Sequence, residues 1–331
     1  LYGVFRRSGS ESFVEKERVH IIYKNILAFT VLAAALAVSA SRGDSEKTIN
    51  VDGVEREYYV HIPREYDGFE PVPLVLALHG GGGEGDKMDR LTGFNDVADE
   101  EGFIVVYPQG INGRWNDGRY VPSLLPVEPP DDVSFLGELV KQLSVDYDID
   151  ENRVYATGIS NGAFMSYRLA VEYPDVFAAV AGVAAQVSVS LKDKYPPERP
   201  IAVMMVLGDR DPLVPYEGGE INLFGIKRGE VLSAKESVAM WTENNGCSET
   251  PVTTYYEDID GGDSSVARRD EYGSDTGADV VLITIEGGGH TWPGGWQYIS
   301  EKIVGKTNRD INASLVIWEF LEEHSLITRN N

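Results

Sequence analysis

A serine set between two glycines constrains this chain more than any other feature. The stretch Arg153-Val154-Tyr155-Ala156-Thr157-Gly158-Ile159-Ser160-Asn161-Gly162-Ala163 reads as a short apolar strand, a tight turn and the start of a helix. Val154, Ala156 and Ile159 suit a buried strand, and Ala163, Phe164, Tyr167, Leu169 and Ala170 recur at roughly helical spacing. A strand feeding a helix through Gly-x-Ser-x-Gly is a nucleophile elbow. Its turn is so sharp that the residues two either side of the serine crowd one another, so both must lack a Cβ. The hydroxyl is then lifted above the sheet, with the N–H of Asn161 beside it at the helix N-terminus.

The rest of the chain alternates in the way such a turn requires. Apolar runs at 73–79, 103–107, 177–183 and 201–207 have the continuous character of strands buried on both faces. Helical periodicity is expected over 88–101, 132–147, 231–244 and 311–323, and further strands over 57–62, 252–256, 266–272 and 280–285. Residues 108–130 read as loop. This order predicts a single α/β domain over 41–331, a doubly wound and mostly parallel sheet with helices on both faces.

Residues 26–40 carry no charge, follow Lys24 and end in Val38-Ser39-Ala40. That is the pattern of a secretory signal peptide cleaved after Ala40, so 1–40 is expected to be leader and the domain to be secreted. The run is shorter than the ~20 residues a membrane span needs, so no stable membrane association is expected. A formal net charge of −24 argues against nucleic acid as a partner. Cys247 is the single cysteine, which excludes an internal disulfide and paired-cysteine metal sites. Asp258-Ile-Asp260-Gly-Gly-Asp263 has an aspartate where a calcium loop needs glycine, and reads as a turn. No metal is expected.

A serine hydroxyl needs a base, because it is hardly ionised near neutral pH. The chain has five histidines. His20 lies in the leader, His61 in an early strand, His324 near the end, and His79 before a run of glycines. His290, in Gly287-Gly-Gly-His290-Thr-Trp292-Pro-Gly-Gly295, is the expected base. The acid should lie between serine and histidine in the chain, just past a buried strand. Gly208-Asp209-Arg210-Asp211-Pro212 offers two candidates, of which Asp211 is preferred over Asp209. The oxyanion of acyl transfer needs N–H donors. His79-Gly80-Gly81-Gly82-Gly83 is expected to supply one from Gly81 or Gly82, with Asn161 as the other. Trp115, Trp292 and Trp296 fall on loops, and Trp115 and Trp292 are the expected aromatic walls of a substrate pocket.

Taken together, these motifs resemble one family. The segments Leu78–Gly83, Trp115–Arg119, Asp131–Leu136, Arg153–Arg168, Asp211–Tyr216, Gly287–Gly295 and Asp310–Leu321 are similar to the secreted α/β-hydrolase esterases of the polyhydroxybutyrate depolymerase and feruloyl/acetylxylan esterase group. The resemblance implies an α/β-hydrolase fold and a Ser160–Asp211–His290 triad. It implies a serine carboxylesterase that needs no cofactor and acts on short-chain or aryl esters, such as feruloyl or acetyl groups on polysaccharide. Polyhydroxybutyrate oligomers are the alternative substrate, and a catalytically silent binding protein is the alternative of another class. The acidic surface is expected to repel highly anionic substrates. Oligomeric state is not legible.

Overall fold

The computed structural model describes residues 45–119, 129–223 and 225–326. The expected leader over 1–40 lies outside them, as does part of the 108–130 loop. Ten strands form one sheet in the order β1-β2-β4-β3-β5-β6-β7-β12-β11-β10. They are β1 (Ser45–Val51), β2 (Val54–His61), β3 (Val72–Leu78), β4 (Ile104–Pro108), β5 (Ile149–Ile159), β6 (Ala179–Val183), β7 (Ala202–Gly208), β10 (Val252–Tyr255), β11 (Val266–Tyr272) and β12 (Val280–Glu286). The six central strands, β4 to β12 in that order, pair in parallel. The two outer strands on each side are antiparallel.

Successive side chains on these strands point to opposite faces, so each apolar run feeds two cores. Leu74, Leu76 and Leu78 of β3 pack into one, with Val203, Met205 and Leu207 of β7. Val75, Ala77, Met204 and Val206 pack into the other. The first core is closed by three helices, α3 (Asp132–Asp146), α4 (Asn161–Glu172) and α5 (Ala234–Asn245). The second is closed by α2 (Phe94–Glu101) and, after the short α6 (Glu301–Val304), by α7 (Ala313–Glu322), where Trp318 stacks on Phe103 with centroids 4.1 Å apart. Helices on both faces of a parallel sheet are the doubly wound arrangement expected.

Local departures have local causes. The single helix expected over 88–101 is two, α1 (Met88–Thr92) and α2, because Gly93 adopts a left-handed φ of 68° between them. Helix α5 starts at Ala234 rather than near Val231, where Ser233 and Glu236 form a capping box. Asn312 caps α7, its Oδ1 accepting from the N–H groups of Ser314 and Leu315. A hairpin of β8 (Gly219–Leu223) and β9 (Ile226–Val231), not read from the sequence, lies between β7 and α5. Burial pushes the Cys247 thiol up to about 11, which makes it a poor nucleophile near neutral pH. Among the described residues, no helix is long and apolar enough to cross a membrane.

Candidate active site

The strand order puts the carboxyl end of β5 at the middle of the sheet, and the chain turns there into α4. Ser160 sits on that turn with φ 55° and ψ −114°, a conformation rare for a residue with a side chain. Its N–H is held by the carbonyl of Val183 at 2.8 Å, and its own carbonyl accepts from Phe164. The crowding that demands glycine comes mainly from β3. A Cβ on Gly162 would lie 2.2 Å from the Leu78 carbonyl oxygen, and one on Gly158 would lie 2.6 Å from the same atom.

His290 stands on the loop after β12. Its N–H donates to Val304 at 2.6 Å and its carbonyl accepts from the Tyr298 hydroxyl at 2.9 Å. The ring Nδ1 is 2.6 Å from Asp211 Oδ2. The other Asp211 oxygen accepts from the N–H groups of Leu213 and Val214, so the carboxylate is fixed from both sides. A carboxylate only accepts, so Nδ1 carries a proton, and in the neutral imidazole Nε2 is the nitrogen with the lone pair. Asp209, the other candidate acid, instead accepts from Gly287 N–H at 2.6 Å. It braces the histidine loop from behind without touching the ring.

The glycine loop after β3 comes up beside the elbow. Gly82 does not offer a donor into the site, because its N–H is bonded to the Gly113 carbonyl at 2.7 Å. Among the described residues, the N–H groups of Gly81 and Asn161 have no acceptor. His79 supports this loop from within. Its Nε2 accepts from Gly110 N–H at 2.9 Å, so Nδ1 must be the donor to the Gly80 carbonyl at 2.8 Å.

Burial lowers the His79 pKa below its usual 6.5. Below that pH the unfolded chain takes up a proton that the fold resists, so the stability this group contributes is complete above about 6.5 and is lost as pH falls. A His79→Gln variant does not titrate. Urea titrations should show the stability gap between wild type and variant narrowing below pH 6.5, by up to about 1.4 kcal/mol per pH unit. A gap that widens would assign the wrong protonation state to His79.

The two expected aromatic walls are elsewhere. Trp292 is fully buried, donates Nε1–H to Ser314 Oγ at 3.1 Å and packs edge-on to Phe94. Trp115 is also buried, and its Nε1–H donates to the His79 carbonyl at 2.9 Å. Its backbone N–H donates to Asn161 Oδ1, and its carbonyl accepts from Asn161 Nδ2. Trp115 thus ties the glycine loop to the elbow rather than facing substrate. The exposed aromatic at the site is Trp296, which carries the Arg90 guanidinium 3.8 Å from its ring centroid. Only its position four residues beyond Trp292, on the same glycine-rich loop, hinted at this.

Ser160, Asn161, Gly81 and His290 line one cavity of about 650 Å³. Its apolar wall includes Phe164, Leu213, Val214 and, from the hairpin, Ile221 and Leu223. Arg114, Arg119 and Arg228 also line it, and none of them was singled out from the sequence.

Comparison with known proteins agrees with this architecture. Residues 57–195 match the family described as Esterase PHB depolymerase. "Putative esterase NocK" of Nocardia uniformis subsp. tsuyamanensis is 34% identical over 282 residues, covering 83% of this chain and 81% of that protein. "Probable feruloyl esterase C" of Aspergillus niger is 28% identical over 279 residues, covering 80% and 90%. The solved acetyl xylan esterase from Aspergillus awamori superposes with a TM-score of 0.54 at 18% identity, covering 75% of this chain and 94% of that one. A serine elbow in an α/β-hydrolase sheet, together with these matches in sequence, places the chain in the esterase family of the polyhydroxybutyrate depolymerases.

Proposed function

We propose that this esterase is a serine carboxylesterase working through an acyl-enzyme. The observation that carries the reading is the 2.6 Å contact from His290 to Asp211 at the wall of the cavity that Ser160 also lines. With Nδ1–H held by Asp211, Nε2 of His290 takes the proton of Ser160 as Oγ attacks the ester carbonyl. The tetrahedral oxyanion receives the N–H groups of Gly81 and Asn161. His290 then protonates the leaving alcohol, and water activated by the same imidazole releases the acid. Every atom of this sequence comes from the chain, the ester and water.

The substrates proposed are short-chain or aryl esters, including feruloyl or acetyl groups on polysaccharide. A cavity of about 650 Å³ suits a ligand of that size, and Trp296, exposed in its lining with Arg90 on one face of the ring, is the aromatic proposed to meet a phenolic ring or a sugar. Relatives named feruloyl esterase support this choice, while the family match supports hydroxybutyrate oligomers as the second reading. Secretion is part of this proposal and is supported by the uncharged run at 26–40. The test is kcat/KM for methyl ferulate, acetylated xylo-oligosaccharide and a hydroxybutyrate trimer against a long-chain p-nitrophenyl ester. The short and aryl esters should win. A long-chain ester ahead by about tenfold, or 1.4 kcal/mol in transition-state binding, would contradict the reading. No turnover of any ester would favour a silent binding protein.

A further inference from the structure

The chain is strongly acidic, yet the cavity at its serine is cationic. Three arginines reach it from two segments: Arg114 and Arg119 from the loop after β4, and Arg228 from the β8–β9 hairpin. Arg119 is accounted for internally. Its guanidinium forms a bidentate pair with Asp117, lies 3.8 Å from the Phe164 ring centroid and donates to the Arg228 carbonyl. Lys87 also lines the cavity and is paired with Glu84. The Asp211 carboxylate is engaged by His290 and its own loop.

Arg228 and Arg114 have no such account. Nε and Nη1 of Arg228 are buried and have no hydrogen-bond partner. Among the described residues, neither arginine takes part in an ion pair. Arg114 Nη1 would lie 3.4 Å from a Cβ on Gly81, which places this second guanidinium against the oxyanion loop. Burial, and then the like charges of Arg114 and Arg119, lower the pKa of Arg228. Leaving buried charged donors unsatisfied is costly, and packing alone would be served better by an apolar side chain. A guanidinium that lines a cavity without a carboxylate partner of its own is a strong site for a planar anion with two oxygens, which the Nη2 edge can receive.

We propose that Arg228 and Arg114 form a carboxylate-binding subsite, so that the preferred substrate is a short ester that also carries a free carboxylate. The inference rests on the serine esterase reading and names its substrate class. It also reverses, inside the cavity, the expectation that the acidic chain disfavours anions. The net charge acts from a distance and is screened beyond about 8 Å at physiological salt, whereas the two guanidiniums act at contact.

The carboxylate could belong to the acyl or the alcohol part, and two matched pairs separate these. Monomethyl succinate carries it on the acyl side, and O-acetyl-3-hydroxybutyrate on the alcohol side. Each is compared with its neutral methyl ester by kcat/KM at low and moderate salt. Wild type should prefer at least one acid over its neutral ester by about tenfold or more, a 1.4 kcal/mol difference. Arg228→Gln should collapse that ratio, Arg228→Lys should keep part of it, and added salt should reduce it in wild type. Thermal unfolding of each variant guards against a loss of fold, since misfolding lowers acid and ester together and leaves the ratio unchanged. A wild-type enzyme that hydrolyses neutral esters at least as well as both acids would overturn the subsite and leave the esterase reading intact. So would an Arg228→Gln variant that is folded and keeps the wild-type ratio. Failure to hydrolyse any of the four would count against the esterase reading itself.

Discussion

Replacing Ser160 with alanine is expected to lower kcat by about 10⁴-fold or more, at least 5 kcal/mol of transition-state stabilisation. The backbone at this position is already strained, with φ 55° and ψ −114°, and alanine carries the same Cβ as serine. The elbow therefore keeps its shape. The Ser160 N–H bond to Val183 and the Phe164 N–H bond to the Ser160 carbonyl involve only backbone atoms and survive the change. What is lost is the oxygen that the proposed mechanism acylates. Residual turnover would come from water held near Gly81 and Asn161, which is why the loss is large but finite. His290→Ala should bring a loss of similar size, and the double variant little more, because the two side chains act as a unit. Steady-state kinetics on a p-nitrophenyl acetate-type ester, with circular dichroism as a check on folding, would measure this. Losses that add in free energy would mean that serine and histidine work in separate steps.

The second large effect separates two aspartates that stand two residues apart. Asp211→Asn should lower kcat by about 10⁴-fold, the loss seen when an amide replaces the acid of such a triad and stabilises the wrong histidine tautomer. The reason is local. An amide nitrogen toward His290 Nδ1 presents N–H to N–H, and the imidazole must flip its proton to Nε2, where the base is needed. The Asp211 oxygen facing Leu213 and Val214 already accepts two N–H groups, so the amide cannot turn its nitrogen that way without breaking both. Asp209→Asn keeps an oxygen for Gly287 N–H and should cost less than about tenfold, the worth of one hydrogen bond. Equal losses, or the larger loss at Asp209, would reassign the acid.

These two aspartates show what a sequence carries. That an acid belongs past β7 follows from chain order, but choosing between residues two apart depends on which carboxylate the chain turns toward His290. Loop geometry decides that, and it is not periodic. The sheet was legible because its strands are continuous apolar runs and its helices have apolar faces. The elbow was legible because a side chain at Gly158 or Gly162 has no room beneath the Leu78 carbonyl. Trp292 was misplaced for an equally physical reason. Standing two residues from His290 fixes its distance along the chain and not its direction, and its indole points down to Ser314 in the core. Gly82 was ambiguous because adjacent glycines differ only in which carbonyl their N–H meets, and the Gly113 carbonyl comes from a different loop. Arg114 and Arg228 were invisible. A charged residue reads as surface unless folding brings it against another charge, and these two lie in separate segments far apart in the chain.

The most direct test of the central claim is covalent. Incubating the purified protein with a fluorophosphonate and mapping the adduct by peptide mass spectrometry should find a single modified residue, Ser160, with no labelling of Ser160→Ala. His290→Ala should label far more slowly, because its imidazole no longer removes the hydroxyl proton. An adduct on another serine, or full labelling of the Ser160→Ala variant, would contradict the account.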